Sequence, residues 1–127
     1  MSFERLLRWA LVAGAVIDIV FGASVLLAGG PVLRLLGIAP PADLVYAQLA
    51  ATLSIGVGLC FFAASRAPGR HREIVTVAAA TRFGSAAVLA WFVVRGSLPA
   101  RIYLLAAAEL VLGALHFLYS RRLSKAE

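Results

Sequence analysis

Four apolar runs, each about 20 residues long and each closed by a breaker or by arginines, decide what this chain can fold into. They cover Leu6–Ala28, Leu44–Ser65, Ile74–Val94 and Arg101–Tyr119. At a rise of about 1.5 Å per residue, a helix of that length matches a hydrocarbon core of about 30 Å. Open strand edges do not survive in lipid, and none of the runs shows the alternation of a membrane barrel. The expected fold is all-α: a polytopic membrane protein whose single domain, residues 1–127, is a four-transmembrane-helix bundle. Composition points the same way, with 62% hydrophobic and 14% charged residues. A soluble domain has about 45–50% and about 25%, so too few polar side chains are present to cover a water-facing surface. The small residues Ala28-Gly29-Gly30 would suit cleavage of a leader. The length of the first run and the acid inside it favour a retained helix.

A net charge of +6 would raise nucleic-acid binding in a soluble protein. Here the basic residues cluster at the ends of apolar runs, with no aromatic-interleaved basic stripe, so no nucleic-acid partner is expected. Arg5 and Arg8, then Arg66, Arg70 and Arg72, then Arg121, Arg122 and Lys125 mark the N-terminus, second loop and C-terminus. The other two loops hold only Arg34, Arg95 and Arg101. By the positive-inside rule both termini are cytoplasmic. Trp9, Tyr46, Trp91, Tyr103 and Tyr119 fall near run ends, where an interfacial aromatic belt is expected. In the first extracytoplasmic loop, Pro31-Val-Leu-Arg-Leu-Leu-Gly-Ile38 followed by Pro40-Pro41 reads as a short interfacial helix. It would cap the bundle, or act as a lid hinged at Gly37 and the prolines.

Three ionisable residues interrupt the apolar runs near their middles: Asp18, Arg82 and Glu109. A charge at the bilayer centre costs about 2.5–3.5 kcal/mol on insertion scales, so these groups are expected to neutralise one another or to serve a ligand or a proton. Helical spacing puts Ala10, Gly14, Asp18 and Gly22 on one face of the first helix, and Ala78, Arg82, Ser85 and Ala86 on one face of the third. Ala106, Glu109, Gly113 and His116 share a face of the fourth. Small residues let helices approach closely in lipid, so Gly14, Gly22 and Gly113 are expected at helix contacts. The first and fourth helices also share the order acid, apolar, Val, apolar, Gly, Ala, a trace of an inverted repeat.

Two roles fit the trio. Arg82 bridging Asp18 and Glu109 would be a structural ion network, since a guanidinium can donate to two carboxylates at once. The trio would then hold one excess negative charge unless an acid keeps a proton, which is also what a ligand or proton site looks like. His116, about two turns from Glu109, would extend such a site toward the cytoplasm or simply bond a neighbouring helix. Gln48, Thr52 and Ser54 give the second helix polarity, as glue or as a cavity wall. Cys60 has no partner cysteine, which excludes a CxxC redox pair. No metal site or cofactor is expected, because the two histidines are far apart and no phosphate loop or nucleophile elbow occurs.

Asp18-x-x-x-Gly22, the Pro31…Arg34-x-x-Gly37…Pro40 segment, Pro99 and the Glu109 helix ending in Arg121-Arg122 resemble the small four-helix bacterial membrane proteins of the DoxX-like type. The resemblance implies residence in the bacterial cytoplasmic (inner) membrane. Some members of that group are subunits of quinone-linked oxidoreductases, and no catalytic residue carries over. Asp18 is also placed like the single acid of small multidrug exporters, but this chain adds Arg82 and Glu109 and lacks their aromatic-rich signatures. Glu109 with His116 is a fainter echo of emopamil-binding-type sterol isomerases. The function expected is non-catalytic: an accessory subunit, or a binder of a lipid-like or quinone-like molecule. Membrane lipids and a homo-oligomer or larger membrane complex are the expected partners. A proton-coupled dimeric transporter is the first alternative, and a membrane isomerase or oxidoreductase subunit the second.

Overall fold

The computed structural model describes residues 3–123, and these form four helices: α1 (Phe3–Leu35), α2 (Val45–Arg66), α3 (Arg72–Val94) and α4 (Ile102–Leu123). All four are long and apolar enough to cross a membrane. Large apolar side chains point outward along them, among them Leu27 (89% exposed), Leu53 (71%) and Leu104 (78%). Trp9, Tyr46, Trp91 and Tyr103 are exposed near helix ends. Tyr119 departs from the expected belt: it is buried and packs with Leu7, Leu11 and Val75.

The first run breaks beside Gly29-Gly30-Pro31 as its breakers suggest, and a short helical segment follows. Helical hydrogen bonding resumes and runs on to Leu35 beyond a kink at Ala28, where φ is −146° and ψ 47°. Pro31 explains the position of the kink. Its ring removes an N–H donor and clashes with the carbonyl of Leu27, four residues back, so the helix breaks just ahead of it. The segment after the kink sets Val32, Leu35 and Leu36 across a groove from Val16, Val20 and Phe21 of α1.

Two ends of the bundle's loop side are closed in the same way. Gly37 (φ +76°) and Gly96 (φ +74°) follow α1 and α3 in the left-handed region. Paired bonds Gly37 N–H to Arg34 O and Ile38 N–H to Leu33 O, and Gly96 N–H to Val93 O and Ser97 N–H to Phe92 O, satisfy the last carbonyls as Schellman caps. The Arg101 guanidinium lies against Gly37, tying the first loop to the third, and any side chain at position 37 would collide with it.

The helices pack as two tight hairpins, α1 with α2 and α3 with α4. The hairpins touch more sparsely, along α1–α4 and α2–α3, so α1 and α3 lie across the bundle's diagonal. Within the first hairpin Gly22 faces the Ala51 carbonyl, and Gly58 faces Ala15 O and the Asp18 side chain. Within the second, Gly113 faces Phe83 and the base of Arg82. The largest completely buried side chains, Leu11, Phe61, Val75 and His116, all sit on the side of the termini.

A methyl group on Gly22 would stand 2.5 Å from the Ala51 carbonyl oxygen, a backbone atom that cannot swing away. Gly22→Ala is therefore expected to destabilise the bundle by about 1–3 kcal/mol in a mixed-micelle unfolding titration. Gly56→Ala and Gly84→Ala, where a methyl meets nothing within 4 Å, should cost nothing or gain a few tenths through helix propensity.

Candidate functional site: a charged bridge beneath a crevice

Asp18, Arg82 and Glu109 meet. From α3, the Arg82 guanidinium reaches both α4 and, across the diagonal, α1. Its Nη1 donates to Glu109 Oε1 at 2.7 Å and its Nη2 to Asp18 Oδ2 at 2.5 Å. Nη2 also donates to the Gly14 carbonyl at 3.2 Å. A fork with two prongs suits this task, since one planar cation can hold two carboxylates on different helices. The Arg82 side chain is only 4% exposed, against 15% for Asp18 and 10% for Glu109.

The surroundings explain why the guanidinium fits. Gly14 provides its seat: a Cβ there would stand 3.1 Å from Nη2. Gly113 leaves room for the first carbon of the Arg82 side chain on α4. Below the cation, the Phe61 ring of α2 lies 5.5 Å from Cζ, a cation–π contact inside the core. Ser54 of α2 ties the first hairpin together at the same level by donating to the Asp18 backbone carbonyl at 3.1 Å.

The bridge also divides the bundle into two halves. On the side of the termini lies the packed core of Leu7, Leu11, Ala15, Phe61, Val75, Ala78 and Tyr119. On the side of the α1–α2 and α3–α4 loops there is a crevice of about 390 Å³, walled by residues of all four helices. Asp18, Arg82 and Glu109 form its inner end, Ser54, Thr81 and Ser85 add hydroxyls, and Val57, Val88, Leu89 and Leu105 make the apolar wall. Ile17 and Phe21 line both this crevice and the groove beneath the segment after the kink, so the two spaces adjoin.

His116 does not join the trio. Its ring is completely buried, 6.2 Å from Phe61 centroid to centroid, and it does not line the crevice. Neither ring nitrogen makes a well-formed hydrogen bond, and the Ala10 backbone of α1 is its polar neighbour. Gln48 and Thr52 are exposed, and the Thr52 hydroxyl turns back to the Gln48 carbonyl of its own helix. Of the polar residues on α2, Ser54 is the one at the site. Phe61 and Gly58 also belong to it and had no sequence signal: an aromatic and a glycine in an apolar helix look alike at any register. Cys60 is exposed on the outer face of α2. Among the described residues no three His, Cys, Asp or Glu side chains gather as a metal site.

Removing one partner from a buried charge cluster leaves uncompensated charge and costs about 3–5 kcal/mol. Arg82→Leu should show a loss of that order in the unfolding titration. Adding Asp18→Asn and Glu109→Gln to it should recover most of the loss, because no buried charge then remains. Equal losses in the single and triple variants would mean that Arg82 acts by packing alone.

Comparison with protein-family models, with curated proteins and with solved structures finds no match, so function has to be read from the chain's own residues.

Proposed function

We propose that the chain is a four-pass protein of the bacterial inner membrane, with both termini cytoplasmic, that binds a lipid-like molecule without transforming it. The crevice is the observation behind this reading. Its volume of about 390 Å³ falls within the range of about 300–1,000 Å³ usual for small-molecule sites. It is mostly apolar, with a few polar groups converging at one end, the pattern of a site that orients an amphiphile. Its rim includes the exposed side chains of Ile17, Phe21 and Val88, so a ligand enters from the side, out of the acyl layer. The segment after the kink, with Arg34 exposed and Val32 and Leu36 half-buried over the adjoining groove, lies in the outer interface. A long apolar tail is accommodated there.

A second reading, a proton-coupled transporter, is supported by one feature. Two tight hairpins that meet sparsely, with a charged bridge between them, are what rocking around a midplane site requires. In that case Asp18→Asn or Glu109→Gln would abolish substrate-driven proton movement in proteoliposomes while the protein still folds.

Native mass spectrometry of the protein, gently extracted from its own membrane, tests the binding reading. The expected spectrum shows a discrete small molecule bound in near-unit stoichiometry and lost from Ser85→Phe, which fills the crevice. A spectrum without such a molecule, in which the chain instead holds to a larger protein assembly, would replace the reading with that of an accessory subunit.

A further inference from the structure

The crevice has a chemical polarity of its own, and it selects among amphiphiles. Most hydrogen-bond donors at its inner end are already committed. The two terminal nitrogens of Arg82 donate to Glu109, Asp18 and the Gly14 carbonyl, and its side chain is 4% exposed. The Thr81 hydroxyl donates to the Val77 carbonyl at 2.8 Å, and Ser54 donates to the Asp18 carbonyl. The Arg82 Nε–H is buried and unpaired, while the Thr81 and Ser54 hydroxyls still offer lone pairs. Ser85 alone can turn its hydroxyl either way.

Acceptors, by contrast, are in excess. With both acids ionised, two carboxylates share one guanidinium, which leaves one negative charge without a protein counter-ion at this level of the bundle. Glu109 lines the crevice, is 8% exposed, and its Oε2 has no hydrogen-bond partner. A buried carboxylate oxygen left bare is costly, and a donor that reaches it recovers the loss. A ligand carrying a carboxylate would add a second uncompensated charge.

We infer that the crevice takes a lipophilic amine: the ammonium head sits between Asp18 and Glu109 as the missing counter-cation, and the alkyl body lies along Val88, Leu89 and Leu105. This rests on the binding reading above and narrows it to a head that supplies positive charge.

The test uses the full chain in phosphatidylcholine nanodiscs and three photoreactive probes with the same diazirine-bearing alkyl chain, ending in a primary ammonium, a hydroxyl or a carboxylate. Labelling of crevice peptides (around Ile17–Phe21 and Ser85–Leu89) is divided by labelling of the lipid-facing Leu110 and Val111 in the same sample. This cancels differences in partitioning. The ammonium probe is expected to exceed the hydroxyl probe by roughly tenfold, the size of one charge-assisted hydrogen bond, and the carboxylate probe by more. Asp18→Asn should bring the ammonium and hydroxyl probes close to parity, and Glu109→Gln is the second variant if that one folds poorly. Phosphatidylethanolamine added to the disc distinguishes sources: competition identifies a lipid headgroup as the ammonium donor, and its absence a free amine. Equal crevice labelling by all three probes, or preference for the carboxylate, overturns the amine assignment while leaving a binding site in place. No crevice enrichment with any probe, or enrichment unchanged by Ser85→Phe, removes the binding site itself and the assignment with it.

Discussion

A single guanidinium spans the diagonal of this bundle. Arg82 belongs to the α3–α4 hairpin, yet one of its terminal nitrogens bonds Glu109 within that hairpin while the other bonds Asp18 in the opposite one. In lipid no hydrophobic force pulls helices together, so packing and polar contacts must do so. The hairpins are internally tight because glycines let backbones approach, at Gly22 and Gly58 in one and Gly113 in the other. Between hairpins there is little such contact, and the charged bridge ties the two across the gap.

That division of labour explains why the site lies where it does. On the side of the termini, large side chains fill the space between hairpins, and Phe61 presents its ring to the underside of Arg82. On the loop side the lining is slimmer, with serine, threonine and valine near the charges, and the helices leave a crevice instead of a core. The charges therefore sit at the boundary between solid and open halves, half-covered by both. Such a position is consistent with a structural bridge and a recognition site being the same three residues. A purely structural pair would be better served by burial in the packed half.

Much of this was legible in the chain. The run lengths imply four helices, and three ionisable groups stand out because everything around them is apolar. Gly22 and Gly113, each four residues past an acid, follow from helical spacing. Other features depend on tertiary context. Pro31 reads as the start of a separate short segment, but that this segment continues α1 across a kink at Ala28 could not be read from it. Gly56 and Gly58 are equivalent in sequence, yet one faces open space and the other the α1 backbone. Tyr119 looks like a belt residue and is core, since α1 and α3 happen to cover it. His116 shares a helical face with Glu109, but it stands two turns away, packed against Phe61, and does not line the crevice. Which carboxylate each prong of Arg82 takes follows from the cyclic order of the helices, which no local pattern encodes.

The most direct test of the bridge is a solid-state NMR dephasing measurement in lipid bilayers, on protein with nitrogen-15 arginine side chains and carbon-13 carboxyl groups. Asp18→Asn and Glu109→Gln samples assign the two contacts. The account predicts short nitrogen–carbon couplings from one guanidinium to both carboxyl carbons in the same sample, each disappearing only with its own variant. A coupling to one acid alone, or to neither, would contradict a bridge that spans the two hairpins.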